Sequence, residues 1–198
     1  MRPLFPVLAL LFNALVWGVS WWPFRQLAAL GLHPLWATAL IYGFSLLCLL
    51  LLRPDAWRGL ITHPALWFLM LAAGLTNVGF NWAVTAGDVV RVVLLFYLMP
   101  AWSVLLAWWL LGEKPPRAAL LRLAMALLGV MLVLKTPDSP WPIPSTAVDG
   151  LALMGGFCFA LTNALLRKLQ HIPDASRAVA MFAGGTITAT GAALAGLA

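Results

Sequence analysis

Charged residues are scarce in this sequence. Twelve Lys or Arg and six Asp or Glu stand among 198 residues, or 9% of the chain, against about 25% in soluble domains. So few charges cannot hydrate the surface of a soluble protein of this size, which excludes a soluble enzyme. The basic residues are also spread along the chain instead of forming one run or one helix face, which excludes a nucleic-acid-binding domain.

Residue patterns that carry chemistry are scarce as well. The two cysteines, Cys48 and Cys158, lie in apolar runs, so no disulfide framework is expected. The three histidines have no metal-ligand spacing, and there is no glycine-rich phosphate loop. The sequence therefore predicts no cofactor, no metal and no enzyme activity. No acidic residue lies deep in an apolar run, so the usual marker of a proton relay is missing and the coupling mechanism stays open.

Hydrophobic residues, in contrast, make up 63% of the chain. They form seven runs, and each is predicted to cross a membrane, because a spanning helix needs about 20 apolar residues. The predicted spans are 4–24, 34–52, 65–86, 89–111, 118–134, 150–166 and 178–197. The predicted fold class is an all-α membrane protein, a polytopic bundle of about seven transmembrane helices.

The distribution of Lys and Arg predicts the orientation of the chain. With the N-terminus in the cytoplasm, nine of the twelve basic residues flank the spans on the inside and three on the outside. Because basic residues are enriched in cytoplasmic loops, the N-terminus is predicted to be cytoplasmic. The segment 135–149, which contains four prolines, then forms an external linker.

A weak internal repeat accompanies this topology. A shift of 143 positions brings Leu-Ala-Leu at 8–10 onto the same three residues at 151–153, and Arg25 onto Lys168. Five spans separate the two copies, and an odd number reverses the direction of the chain. The repeat would therefore be inverted, an arrangement found in secondary transporters with a substrate site near the bilayer midplane.

Several stretches resemble the drug/metabolite transporter superfamily, EamA type. They are Asn-Ala-Leu-Val-Trp-Gly-Val-Ser at 13–20, Tyr-Leu-Met-Pro-Ala-Trp-Ser at 97–103, Leu-Leu-Gly-Glu at 110–113, Leu-Gly-Val at 128–130 and Asp-Gly-Leu-Ala-Leu at 149–153. The resemblance implies ten helices in two inverted five-helix repeats. It also implies export of small metabolites, such as amino acids or drugs, across the bacterial inner membrane.

The resemblance also divides the chain. Residues 1–134 correspond to the first five-helix repeat, 135–149 to the external linker, and 150–198 to the first two helices of a second, incomplete repeat. The expected partners are the lipid bilayer and a small-molecule substrate, with no nucleic acid. A homodimer or further C-terminal helices would complete the transporter, and a non-transporting membrane fragment or assembly subunit is the alternative function.

Two polar stripes are candidates for a substrate cavity. Asn77, Asn81 and Thr85 follow one another at intervals of four in the third span and share a helix face. Asn13, Trp17 and Ser20, at intervals of four and three, share a face of the first span. Polar side chains avoid lipid, so both stripes face other helices or a cavity. The stripe in the third span either forms hydrogen bonds to another helix or lines a cavity. Trp17 either packs in the core or stacks against a substrate.

The fourth span carries further candidates. An arginine inside a span is costly, so Arg91 is predicted either to bind a carboxylate or phosphate group of a substrate or to pair with Asp88 at the surface. Trp102, eleven residues on, shares the face of Arg91. Pro100 predicts a kink and a hinge, because proline removes one helical hydrogen bond. Glu113, outside the span, is predicted to anchor the loop through Lys114 or Arg117.

Small residues recur at every fourth position of the seventh span, a spacing that lets another helix approach closely. They are Ala180, Gly184, Thr188, Ala192 and Gly196. No later segment of the chain is available to fill this surface, so it is predicted to receive a missing helix or a second copy.

Overall fold

The computed structural model describes residues 4–135 and 144–197, so most of the predicted linker lies outside the described residues. Within these ranges the regular structure is helical. The helices are α1 (Leu4–Val19), α2 (Trp21–Ala29), α3 (Pro34–Leu52), α4 (Arg58–Thr62), α5 (Ala65–Ala86), α6 (Val89–Phe96), α7 (Met99–Leu111), α8 (Arg117–Leu134), α9 (Ala147–Lys168) and α10 (Asp174–Ala192), which continues as a π-helical turn, Ala193–Leu197.

Six segments within the described ranges are long and apolar enough to cross a membrane. They are Pro6–Ala29, Pro34–Leu52, Ala65–Ala86, Val89–Leu111, Ala147–Lys168 and Asp174–Ala195. The 18-residue helix α8 occupies the position of the predicted fifth span. The predicted fold class, an all-α polytopic membrane protein, is confirmed.

Two of these spans are broken into two helices. The first breaks at Ser20. Pro23 stands in the first turn of α2, where a helix needs no N–H donor, so it does not prevent α2 from continuing to Ala29, beyond the predicted end of the span. The fourth breaks between Phe96 and Met99. Pro100 has no N–H to offer the carbonyl of Phe96, which accounts for this interruption, and the predicted kink and hinge stay predictions.

Helix α5 lies at the centre of the bundle. It packs against α9 on one side and α10 on the other, while α3 also contacts α10, and α6 and α7 contact α9. About two thirds of the α5 span is buried, compared with 6% of the first span. Helices from before and after the segment 135–149 therefore form one shared core.

Glycines set the closest helix contacts. A Cβ on Gly184 of α10 would collide with the carbonyl oxygen of Met70 on α5, and one on Gly79 of α5 would lie 2.8 Å from the carbonyl oxygen of Leu151 on α9. Helix α5, which precedes the seventh span, therefore occupies the surface around Gly184 that was predicted to receive a missing helix or a second copy. Gly196, the last member of that surface, lies outside the described side chains.

Candidate functional site

Trp17 borders three cavities of about 440, 210 and 400 Å³. It lies in α1, and the cavities are formed where α1 and α2 meet α3, α5, α6, α9 and α10. Helices from both sides of the segment 135–149 therefore contribute to the same group of cavities.

The largest cavity has aromatic walls. The rings of Trp17 and Phe80 are 5.5 Å apart, and those of Phe80 and Phe96 are 4.8 Å apart, so neighbouring walls also support one another. None of the described residues that line it is charged. Its aromatic members are Trp17, Trp21, Phe80, Phe96, Tyr97 and Phe159.

The smallest cavity, in contrast, is rich in hydroxyl and amide groups. The side-chain oxygen of Asn77 accepts a hydrogen bond from the Tyr42 hydroxyl of α3, and its amide nitrogen donates to the carbonyl oxygen of Ala73 over 2.7 Å. Thr76 donates to the carbonyl oxygen of Ala72 over 2.8 Å. This cavity is called the polar pocket below; its polar side chains are Asn13, Tyr42, Thr76, Asn77 and Thr162.

One hydroxyl of the polar pocket is unpaired. Thr162 is 5% exposed, and its Oγ1 atom has no hydrogen-bond partner among the residues that the structure describes. Other helical threonines, including Thr76, Thr186 and Thr188, donate to the carbonyl four residues earlier. An unpaired buried hydroxyl is costly, so Thr162 is a position that a ligand would stabilise.

The third cavity contains the rest of the two polar stripes. Asn81 lines it and also donates to the Thr38 hydroxyl of α3 over 3.0 Å, so it both joins two helices and faces a cavity. Ser20 lines it as well and donates to the carbonyl of Trp17 over 2.9 Å. Interhelical hydrogen bonding and cavity lining are thus compatible for Asn77 and Asn81.

Three candidate residues lie apart from the cavities. Thr85 donates to the carbonyl oxygen of Asn81 in its own helix. Trp102 packs edge-on against Phe157 with ring centroids 5.5 Å apart, and its buried indole N–H has no acceptor in the described part of the chain. Arg91, the third, points to another helix. Contrary to the prediction, Arg91 and Trp102 do not line the cavities around Trp17 and Asn77, because Arg91 is bound to α9 and Trp102 packs on Phe157.

Arg91 forms a two-point ion pair with Asp149 at the start of α9. Its Nε atom lies 2.8 Å from Oδ1 and its Nη2 atom 2.9 Å from Oδ2. Asp149 also accepts from the backbone N–H groups of Ser145 and Thr146, and its own N–H donates to the Thr146 hydroxyl, which completes a capping box. Asp88 caps α6 by accepting from the Arg91 N–H over 2.8 Å.

Sequence reasoning missed Asp149 as the partner of Arg91. The two residues are 58 positions apart, and nothing local indicates that α6 and α9 are neighbours. The available signal was Thr146 with an acidic residue three positions later, a pattern typical of a capped helix start. That pattern predicts that Asp149 takes part in the cap, but it does not predict that Asp149 pairs with Arg91.

Glu113 also has an unexpected partner. Gly112 adopts a left-handed conformation, with φ of 70°, and ends α7. Glu113 then pairs with Arg167 in the last turn of α9, with an Nη2–Oε1 distance of 2.6 Å. The predicted anchoring through Lys114 or Arg117 is wrong, because the glycine turn brings the carboxylate to a neighbouring helix.

Outside the spans, His33 caps the start of α3. Its Nδ1 atom accepts a hydrogen bond from the Leu35 N–H over 3.3 Å, and its ring packs edge-on against Trp82. Desolvation by burial lowers the pKa of His33 below its usual value of 6.5. Both effects favour the neutral ring.

Residues 4–135, well over half of the chain, match the EamA-like transporter family. The chain belongs to that family. It is also similar to an "Uncharacterized transporter" of Vibrio cholerae serotype O1, with 28% identity over 160 residues, which cover 77% of this chain and 50% of the relative. This EamA-like chain thus aligns with about half the length of that relative. No solved structure matches it. Six apolar helices and the family together identify an integral, multi-pass membrane protein.

Proposed function

We propose that this chain acts in secondary transport, as an exporter of small metabolites such as amino acids or drugs across the bacterial inner membrane. The observation that carries the proposal is the group of cavities around Trp17, whose described lining residues are uncharged. Such cavities, apolar with a few placed polar groups, are the usual form of small-molecule sites.

The position of the cavities supports transport by alternating access. Trp17 and Asn77 come from helices before the segment 135–149, whereas Phe159 and Thr162 come from α9 behind it. In transporters with inverted repeats the substrate lies at the interface of the repeats, and one repeat moves against the other. In this proposal, the interruption of the fourth span just before Pro100 acts as the hinge for that movement.

Reconstitution into proteoliposomes tests this function. Trp17→Ala is expected to lower transport of a responding metabolite by about tenfold, the effect of losing roughly 1.4 kcal/mol of binding. Trp109→Ala is the matched control, since Trp109 is 80% exposed and lines none of the three cavities. Equal transport by the two variants would contradict a substrate site at Trp17.

Orientation is a separate part of the proposal. The nine-to-three distribution of basic residues supports a cytoplasmic N-terminus. A membrane-impermeant thiol reagent added outside should label Ser139→Cys, in the stretch beyond the described residues, and should miss Arg58→Cys. The reverse labelling would refute this orientation.

The second candidate is a non-transporting fragment or assembly subunit. It is favoured by the alignment, in which this chain spans only half of the Vibrio cholerae relative. Further helices or a second copy would then complete the site. Transport by vesicles that contain only the 198-residue chain would exclude this candidate. Transport that requires co-expression with further helices of the same family would support it.

A further inference from the structure

We propose that the site takes an uncharged, ring-containing ligand with one hydrogen-bonding end, and that Thr162 recognises this end. The inference rests on the proposed function and narrows it, because it names the ligand class of the same cavities and leaves out zwitterions such as free amino acids. In this arrangement the aromatic cavity receives the ring, and the polar pocket receives the end.

The two cavities are adjacent. Asn13, Trp17 and Phe159 line both the aromatic cavity and the polar pocket. A ligand that occupies both cavities therefore contacts these shared side chains. The volumes of about 440 and 210 Å³ match a larger ring and a smaller polar group.

The absence of charge among the described lining residues argues against an ionic ligand. Moving an ion out of water is costly unless an opposite charge pairs with it. Two charged groups on the helices around the cavities have partners within the protein: Asp149 is bound by Arg91, and the guanidinium of Arg25 stacks on Trp21 and donates to the carbonyl oxygens of Val84 and Gly87. Aromatic rings attract cations, but the Arg25 guanidinium over Trp21 repels a second cation near that ring.

The unpaired hydroxyl of Thr162 argues for a hydrogen-bonding end. The amide of Asn77 is used within the protein, in bonds to Tyr42 and Ala73. Thr162 lines the polar pocket, and its Oγ1 atom is buried without a partner among the described residues, so a rotation about the Cα–Cβ bond would present the hydroxyl to a ligand. A neutral ligand group that donates or accepts there satisfies the hydroxyl without introducing a charge.

Four indole probes of similar size test the inference by equilibrium binding to the detergent-solubilised chain. Indole-3-acetamide is neutral with a polar end, 3-ethylindole is neutral without one, indole-3-acetate is an anion and tryptamine is a cation. We expect the amide to bind at least about tenfold more tightly than either ion, because the ions lose hydration without gaining a counter-charge. Failure of the amide to bind, or equal binding of either ion, would overturn the inference.

Substitutions at Thr162 test the hydrogen bond. Thr162→Val keeps the shape and removes the hydroxyl, so it should weaken binding of the amide about fivefold and leave 3-ethylindole unchanged. Thr162→Ser should retain amide binding. Thr186→Val is the matched control, because the Thr186 hydroxyl is paired with the Phe182 carbonyl and the residue lines none of the three cavities. An equal loss for the amide and 3-ethylindole would contradict recognition by Thr162.

A replacement variant and a parallel transport assay separate failure of the inference from failure of the proposed function. If Thr162→Val does not fold, Thr162→Ala replaces it, and the probe series with the unsubstituted chain still tests the charge argument. Vesicle transport is measured in parallel. Binding of the amide without its transport contradicts the proposed function alone, whereas transport of tryptamine or indole-3-acetate without the amide contradicts the inference alone.

Discussion

Helix α9 is held at both ends by an arginine–carboxylate pair, and the two ends differ in burial. At its start the Asp149 side chain is 1% exposed and the Arg91 side chain 28%. At its end the Arg167 side chain is 61% exposed and the Glu113 side chain 47%. The bonding groups are the same, but only the first pair is removed from water.

This difference shows that the distance between the charged atoms does not by itself determine how much an ion pair contributes to the free energy of unfolding. An exposed pair exchanges good hydration for a contact of similar free energy and contributes about 0–1 kcal/mol. A buried pair has already lost its hydration, so removal of one partner leaves the other charge without compensation. Of the four predictions that follow, the first three test this contrast, and the fourth concerns a cap at the start of another helix.

The largest effect is expected for Arg91→Met. The substitution leaves the Asp149 carboxylate buried without its guanidinium, so the free energy of unfolding should fall by about 3–5 kcal/mol. Thermal unfolding in detergent measures the change. Arg91→Met combined with Asp149→Asn should recover part of the loss, because Asn carries no charge and its oxygen still accepts from the backbone. A loss no larger than that of Arg167→Met would contradict the contrast between the two ends.

Arg91→Lys should have the next largest effect. Lysine keeps the charge but replaces a planar fork by a single point of contact, so one of two charge-assisted hydrogen bonds is lost. The expected cost is about 1.5–3 kcal/mol of unfolding free energy. If the chain transports, the activity should fall as well, because α6 and α9 both border the aromatic cavity. Arg167→Lys is the control and should leave stability unchanged.

Glu113→Gln should have a small effect. Removal of the exposed carboxylate should cost less than about 1 kcal/mol, and raising the salt concentration should reduce even this difference. Unfolding curves at low and high salt give the comparison. A salt-independent loss as large as that of Arg91→Met would show that the two ends are equivalent.

The smallest effect is expected from a change in pH, which acts on stability through His33, the cap of α3. The pKa of His33 is lower in the folded chain than in the unfolded chain, so its contribution is complete above about pH 6.5 and is lost as the pH falls below that value. The loss should not exceed about 1 kcal/mol, the typical value of a cap. Unfolding of the native chain and of His33→Asn should be compared at pH 7.5 and 5. Asparagine caps without titrating, so an equal pH dependence in both would exclude His33 as the cause.

Helix positions could largely be predicted from the sequence. The third span coincides with Ala65–Ala86 and the second with Pro34–Leu52. The sixth and seventh spans begin three or four residues earlier than predicted, at Ala147 and Asp174. Hydrophobicity marks the part of a helix inside lipid, whereas caps such as Thr146 extend the hydrogen-bonded helix beyond it.

The candidate site could be predicted only in part. Helical spacing alone placed Asn77 beside Asn81 and Asn13 beside Trp17, and these residues do line the cavities. The spacing argument failed for Trp102, because it assumes a continuous helix and Pro100 interrupts the span. Thr162 gave no signal, since a threonine in an apolar run is ordinary until its neighbours are known.

The sequence by itself determined the membrane class, most span positions, the site of the helix break near Pro100 and the faces of single helices. These follow from composition and from periods of three to four residues, which are local properties of the chain. Only the tertiary structure decided that Arg91 meets Asp149, that α5 fills the surface around Gly184, and that Thr162 is unpaired. Each of these depends on which helices become neighbours, and the packing of the whole bundle selects those neighbours through contacts between residues far apart in the chain.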